Sequence, residues 1–441
     1  MTLPFIDLLI EAEWVIPVQP HGLVLADHAV AVDRGRIVAI LPQAEALRYC
    51  RPRQTVSRPG HALLPGLMNL HAHSPMSLMR GLADDLPLMR WLHEHVWPVE
   101  AKFVGAEFVR DGVRLAAAEM LRGGTTLVNE NYFFPEVAAA TYAEIGMRAA
   151  IGLPIIEFPS AWAQTIDEYF DKCLAVHDAV RGNARQITTL APHAPYTVSD
   201  QSFERIRVLS DQLDIPVHLH LHETQFEVED AFSRTGERPI ARLRRLGLLN
   251  PHLLAVHMTA LNDSEIAQCA EAGVSVAHCP ESNLKLASGF CPVEKLRRAG
   301  INVALGTDGC ASNNDLDMFG ELRTAALLAK AVAADASALD AASALRMATW
   351  CGARALGIDA EVGSIEVGKA ADLITLKLDQ FDTLPIYNAI SQVVYASNRR
   401  DVRDVWIEGV RKLDDGQLLD FDVAELAQMA RGWGDRIRAL R

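Results

Sequence analysis

Between about residues 63 and 310 the chain repeats one pattern eight times: a short β-rich apolar run that ends on polar residues, then a helical stretch. The runs are LLPGLMNLHAH, TTLVNENYF, MRAAIGLP, QITTLAPHAP, IPVHLHLHET, LLAVHMTAL, VSVAHCPESN and INVALGTDG. Such alternation is that of parallel βα units. Eight units within roughly 300 residues fit an α/β chain folded as a TIM-like (β/α)8 barrel, whose catalytic groups come from strand C-termini and the loops that follow them. The polar tails of the runs sit at those ends: His71 and His73, His193, His220 with Glu223, His257 and Asp308.

Residues 1–62 read as strands with turn punctuation, as in DLLIEAEWVIPV and HAVAVDRGRIVAILP, and strand-like segments return after residue 363 in GSIEVGKAADLITLKL and VRDVWIEGVRKL. The expected organisation is therefore a small β-sandwich built from both chain ends, 1–62 and 363–441 with a C-terminal helix, beside a barrel over 63–362. The Ala-rich stretch VAADASALDAASALRMATWCGARALG is expected to pack as helix on the barrel flank.

Composition narrows the function. A formal net charge of −14 argues against a nucleic acid polymer as partner, since phosphate binding needs clustered Lys and Arg. No apolar run reaches the roughly 20 residues needed to cross a bilayer, and the start MTLPFIDLLIEAEW lacks a basic n-region and a cleavage site, so no membrane association and a cytoplasmic location are expected. Seven scattered cysteines form no CxxC pair and read as reduced, buried small residues.

His71 and His73 stand two apart on a strand end, so both imidazoles reach one point at the barrel mouth. With a third histidine and Asp308 on other strand ends they make a donor set for one divalent transition metal. His218, His220 and His222 share a face; His220 is the position near the mouth that still leaves a carboxylate, Glu223, three residues on. Spacing leaves the other two open, with buried hydrogen-bonded or loop roles preferred. The fourth run has no Lys to bridge a second ion, which favours a single metal. Three imidazoles and one carboxylate leave net positive charge on the ion and so acidify water. Glu223 is then placed to act as acid toward a ring nitrogen, Asp308 to accept a proton from the water, and His257 to hold the attacking oxygen, with a fourth ligand or a core histidine as the alternative for His257.

Taken together, PGLMNLHAH, APHAPYT, HLHET, VHMTAL, HCPESNLKLASG, LGTDGCASNNDLD and GKAADL resemble the amidohydrolase superfamily, in the branch of triazine hydrolases and methylthioadenosine/S-adenosylhomocysteine deaminases, over nearly the whole chain. The resemblance implies metal ligands at His71, His73, His220 and Asp308, acid/base and water-orienting roles for Glu223 and His257, and substrate contacts at His193 and at Glu100 in WLHEHVWPVE. A carboxylate at Glu100 suits a nucleoside because it accepts from both ribose hydroxyls; on the residues alone it reads as a solvated helix-end charge. The implied ion is Zn2+, with Fe2+ or Mn2+ as alternatives, and the implied assembly is a homodimer.

One departure bears on specificity. Relatives that accept S-adenosylhomocysteine carry arginines after the third strand, suited to a bidentate grip on the amino-acid carboxylate. Here GLPIIEFPSAWAQTIDEYF has Leu153 in such a place and no Arg before Arg181. The expected reaction is hydrolytic deamination of 5′-methylthioadenosine to the inosine analogue and ammonia, with the methylthio group on Leu153, Ile156 or Phe158, and with S-adenosylhomocysteine and adenosine as further candidates. Water adds at C6 of the adenine, Glu223 protonates N1, and Asp308 passes a proton to the departing ammonia. The alternatives are an aminohydrolase of guanine, cytosine or a triazine, and a catalytically silent barrel used for binding. The other zinc nucleoside deaminase fold is excluded, because HxE followed by PCxxC is absent.

Overall fold

A computed structural model describes residues 3–440. The eight apolar runs form eight neighbouring parallel strands: β5 (Leu67–Ala72), β6 (Thr125–Asn131), β7 (Arg148–Ile155), β8 (Gln186–Pro192), β9 (Val217–Leu221), β10 (Leu253–His257), β11 (Ser275–His278) and β12 (Asn302–Leu305). Most of their residues are buried, as expected where helices cover the outside. One apolar cluster takes residues from every barrel strand but β9, among them Met68, Leu127, Ala150, Ile187, Leu254, Ala277 and Ala304, and packs on Ala353 and Leu356. A set drawn from all around the ring is the filling of its lumen. A much larger cluster joins Val128, Ile151, Leu153, Leu219 and Ala255 to helical residues such as Phe108, Tyr169 and Phe203.

The ends of the row, β12 and β5, meet through the Asp308 N–H donating to the His71 carbonyl at 2.9 Å and the Thr307 N–H donating to Asn69 Oδ1 at 3.0 Å. Gly306 makes this closure possible: a Cβ there would lie 2.7 Å from the His71 nitrogen. Closing the ring is thus the same event that brings Asp308 beside His71.

The chain ends build a second eight-stranded sheet from β1 (Phe5–Val15), β2 (Leu25–Asp33), β3 (Arg36–Pro42), β4 (Arg51–Pro65), β13 (Leu373–Lys377), β14 (Val402–Ile407), β15 (Val410–Asp414) and β16 (Gln417–Leu418). Its order is β16-β15-β14-β13-β4-β1-β2-β3, so the returning segment adds to the N-terminal part along β4, with Leu373 opposite Pro65. Alternation along β1 sets Leu8, Ile10 and Ala12 in one cluster with Trp406 and Leu373, and Leu9 in another with Ala46 of the helix Gln43–Tyr49. β4 runs past residue 62 to Pro65 and passes directly into the barrel. The buried Arg148, at the start of β7, joins the two parts by donating to Asp372 at 2.9 Å and Glu408 at 3.2 Å.

The C-terminal helix Val423–Arg438 turns back onto the barrel rather than the sheet. Trp433 Nε1 donates to Asp111 Oδ2 at 3.0 Å, and its ring meets Phe108 edge-on at 5.2 Å. Among the described residues no helix is long and apolar enough to cross a membrane. Six cysteines are buried and Cys351 is partly so; all are free.

Candidate active site

Three strand ends, those of β5, β9 and β12, bring His71, His73, His220 and Asp308 together at the C-terminal end of the barrel. Asp308 Oδ1 lies 3.3 Å from His71 Nε2 and 3.2 Å from His73 Nε2, and His71 Nε2 lies 3.2 Å from His220 Nε2. The second ring nitrogens explain which atoms face inward. His73 Nδ1–H donates to the Asn131 carbonyl at 2.5 Å and His220 Nδ1–H to the His193 carbonyl at 2.6 Å, so in both rings the lone pair sits on Nε2. Donors bound at about 2.0–2.1 Å in a tetrahedron stand about 3.3–3.4 Å apart, close to the spacing of the Asp308–His71, Asp308–His73 and His71–His220 pairs, while His220 stands further from the His73 and Asp308 side of the cluster. His71, His73 and Asp308, with His220 Nε2 beside His71, are a donor set for a divalent metal, and lone pairs held this close repel unless a cation or proton lies between them.

Burial keeps His71 neutral, its pKa pulled down to about 4, and pulls His220 well below its usual range. His73 differs: burial also acts to lower it, but the hydrogen bond and charge of Asp308 and the Asn131 carbonyl outweigh that and hold it at about 9. A proton there stands where a cation would. Asp308 itself is driven well below the usual carboxylate range, because its histidine contacts outweigh the burial that would raise it. Its Oδ2 accepts from Ser282 Oγ at 2.6 Å and Ser312 Oγ at 2.8 Å, which leaves Oδ1 for the cluster.

The three histidines of β9 separate by depth and by backbone. His218 lies beneath the cluster, its Nε2 hydrogen-bonded to His71 Nδ1 at 3.0 Å. His222 lies beyond the strand end with a left-handed φ of 51°, and its Nδ1–H donates to the Ala260 carbonyl at 3.0 Å. Only His220 reaches the cluster. His257 and Asp308 also have positive φ, 73° and 64°. Non-glycine residues there are strained, and such strain gathers at functional sites.

His257 ends β10. Its Nδ1 faces Asn283 Oδ1 at 2.9 Å, and its Nε2 is 3.9 Å from Glu223 Oε2. Donor atoms of His71, His220 and His257 all lie within 4.8 Å of one another, so geometry alone admits His257 as a further ligand or as a neighbour of the ion's water. Glu223 is buried; burial, with Asp308, raises its carboxyl pKa against the opposing pull of His257 and His73. A carboxyl raised in this way is shifted toward the proton-bearing form that a general acid needs.

These groups open into a cavity of about 370 Å³ that also takes in Glu100 and His193. Glu100 Oε1 accepts from Tyr132 Oη at 2.6 Å; burial pushes the carboxyl up to about 7 despite that bond. His193 Nδ1 faces Thr197 Oγ1 at 3.1 Å. The walls are largely apolar, from Met76, Trp91, Leu92, Trp97, Ile155, Ile156, Phe158 and Leu286, and no lysine or arginine lines the cavity among the described residues.

Of the three side chains expected around a methylthio group, the structure moves one away. Leu153 is fully buried in the cluster that packs on the outer helices and does not line the cavity. It lies within β7, whereas Ile156 and Phe158 follow the strand end and do line it. Several groups that order the site were not singled out from the sequence: Tyr132, Asn131, Asn283, Ser282 and Ser312. Tyr132 and Asn131 sit in NENYF at a strand end, which is the available signal; Ser282 and Asn283 act from the short helix Pro280–Lys285 after β11, and Ser312 from the turn after β12, where strand spacing carries no information.

The amidohydrolase family model matches residues 62–412. A 5-methylthioadenosine/S-adenosylhomocysteine deaminase of Teredinibacter turnerae is 47% identical over 436 residues, covering 99% of each chain. A crystal structure of an adenosine deaminase from Xanthomonas campestris with bound zinc superposes with a TM-score of 0.98 at 60% identity, covering 99% of this chain and 100% of that one. Atrazine chlorohydrolase TrzN from Arthrobacter aurescens superposes at 0.89 with 24% identity over 97% and 99% of the two chains, a likeness of fold alone. With its barrel, its cluster of histidines and aspartate and a match over most of its length, the chain belongs to the amidohydrolase family.

Proposed function

We propose that the protein is a zinc-dependent hydrolytic deaminase of adenine nucleosides, with 5′-methylthioadenosine as its preferred substrate. The observation that carries this reading is the sharing of one largely apolar cavity by three kinds of group. These are His73, His220 and Asp308 of the donor set, with His71 buried against them, then Glu223, and Glu100 with its Tyr132 partner. The names and bound zinc of the relatives support it.

When zinc is bound, it supplies activated water as the nucleophile at neutral pH. Glu223 donates its proton to N1 of the purine as the water oxygen adds to C6. His257, its ring turned by Asn283, holds that oxygen in line. Asp308 accepts one proton of the water and returns it to the amine, the C6–N bond breaks with loss of ammonia, and the remaining proton on the oxygen restores Glu223 as C6 becomes a carbonyl. Glu100 accepts from the ribose hydroxyls, with one oxygen fixed by Tyr132. His193 faces the heterocycle from the end of β8.

The 5′ group meets Ile156 and Phe158 in a wall without a cation. An apolar methylthio group loses nothing there, whereas a homocysteine carboxylate would be desolvated without a partner. The test is a panel of 5′-methylthioadenosine, adenosine, S-adenosylhomocysteine and guanine, followed by ammonia release and by the ultraviolet change from adenine to hypoxanthine. Metal analysis runs alongside. About one zinc per chain, activity lost to a chelator and regained with zinc, and methylthioadenosine as best substrate are expected. A zinc-loaded protein that deaminates no adenine nucleoside would overturn the reading.

A further inference from the structure

The turn that carries Glu223 is held by side chains that have no part in the chemistry above. β9 stops at Leu221, His222 turns left-handed, and the helix Gln225–Thr235 begins from Thr224, whose side chain accepts from the Glu227 N–H. Thr224-Gln225-Phe226-Glu227 is the sequence of a capping box, in which the glutamate reaches back to the N–H of the capping residue. Glu227 reaches further. One of its oxygens accepts from the Glu223 N–H at 2.8 Å and the other from the His222 N–H at 3.0 Å.

The same two residues are fixed from β10. Thr259 Oγ1 donates to the Glu223 carbonyl at 2.7 Å, and the Thr259 N–H to the His222 carbonyl at 2.9 Å. All four backbone polar groups of His222 and Glu223 are thereby engaged. Glu227 is buried, and it does not line the cavity that holds the metal donor set.

We propose that Glu227 is a positioning residue for the reaction: its carboxylate clamps the backbone of His222 and Glu223 and so delivers the Glu223 carboxyl beside His257 and Asp308. This rests on the reading of Glu223 as the proton donor. Burial pushes the Glu227 carboxyl up to about 8, and the His222 and Glu223 N–H groups oppose that shift; with one N–H on each oxygen, the geometry is that of a carboxylate, which offers two acceptor oxygens and no donor. Glutamine offers one acceptor, and its NH2 would confront the remaining N–H. The released turn has a reason to move, since left-handed φ is unfavourable for histidine. A displacement of about 1 Å at a reacting group costs up to ~100-fold in rate.

Glu227→Gln, Glu223→Gln and the double variant are compared with wild type, all zinc-loaded, together with Thr259→Val, which frees the same turn from the opposite side. Expected for Glu227→Gln is a kcat lower by ~10- to 100-fold with KM within about twofold and metal content unchanged. In the Glu223→Gln background the same change should cost almost nothing more, because Glu227 acts through Glu223. A wild-type kcat in Glu227→Gln, or a loss that adds in full to that of Glu223→Gln, overturns the proposal. If Glu227→Gln does not fold, Thr259→Val must show the same kcat-only loss, and its absence overturns the clamp. If wild type itself deaminates nothing, the functional reading has failed; crystal structures of wild type and Glu227→Gln then decide the clamp alone, an unmoved Glu223 overturning it.

Discussion

Tyr132→Phe isolates one hydrogen bond on which nucleoside recognition should depend. Tyr132 Oη donates to Glu100 Oε1 at 2.6 Å, and burial together with the Glu100 charge raises the phenol well above its usual range, so it remains a donor throughout the working pH range. Burial has already pushed Glu100 up to about 7, with the Tyr132 bond and the His73 charge opposing. The bond favours the ionised carboxylate, so its loss raises the pKa further. A hydrogen bond to a charged group is worth about 1.5–3 kcal/mol, and a pKa unit is about 1.4 kcal/mol, so the shift is about one to two units. At pH 7 the ionised fraction falls from about half to about 1–10%, and with it kcat/KM for ribonucleosides by about 5- to 50-fold, through KM. In wild type, kcat/KM should decline as pH falls through about 7; in Tyr132→Phe the midpoint moves up to about 8–9. The assay is the ultraviolet deamination rate against pH with adenosine and with 2′,3′-dideoxyadenosine, which lacks the hydroxyls Glu100 would accept from. A variant profile that overlays wild type, or an equal loss with the dideoxy substrate, would refute the assignment of Glu100 to the ribose.

Glu223→Gln should lower kcat by about 10²- to 10⁴-fold, the usual worth of a positioned general acid, while metal analysis still finds one ion per chain. Gly306→Ala should destabilise the fold by about 1–3 kcal/mol, read as a lower thermal midpoint, and reduce metal content, because the new Cβ would lie 2.7 Å from the His71 nitrogen where the ring closes. Ile156→Arg places a guanidinium in a cavity wall that has none, and should shift the ratio of kcat/KM for S-adenosylhomocysteine over methylthioadenosine upward by about 10-fold or more; steady-state assays with both substrates measure it.

The barrel, and the set of residues able to meet at its mouth, follow from the order of residues alone. Apolar runs of strand length separated by helical stretches have one economical packing, and that packing puts every strand's C-terminal residue at the same end, so HAH, HLHET, VHM and TDG mark one site. A period of two assigns a residue to a face of its strand, but not to a depth in the ring or to a backbone state beyond the strand end. Tertiary structure therefore decided that His218 lies under His71, that a left-handed turn sends His222 to Ala260, and that Leu153 packs on helices while Ile156 lines the cavity. It also decided the partners that set ring tautomers and carboxyl protonation, the Asn131 and His193 carbonyls, Asn283, Tyr132 and the clamp of Glu227. These contacts join residues distant in the chain or act through main-chain atoms, which every residue possesses. No pattern of side chains announces them.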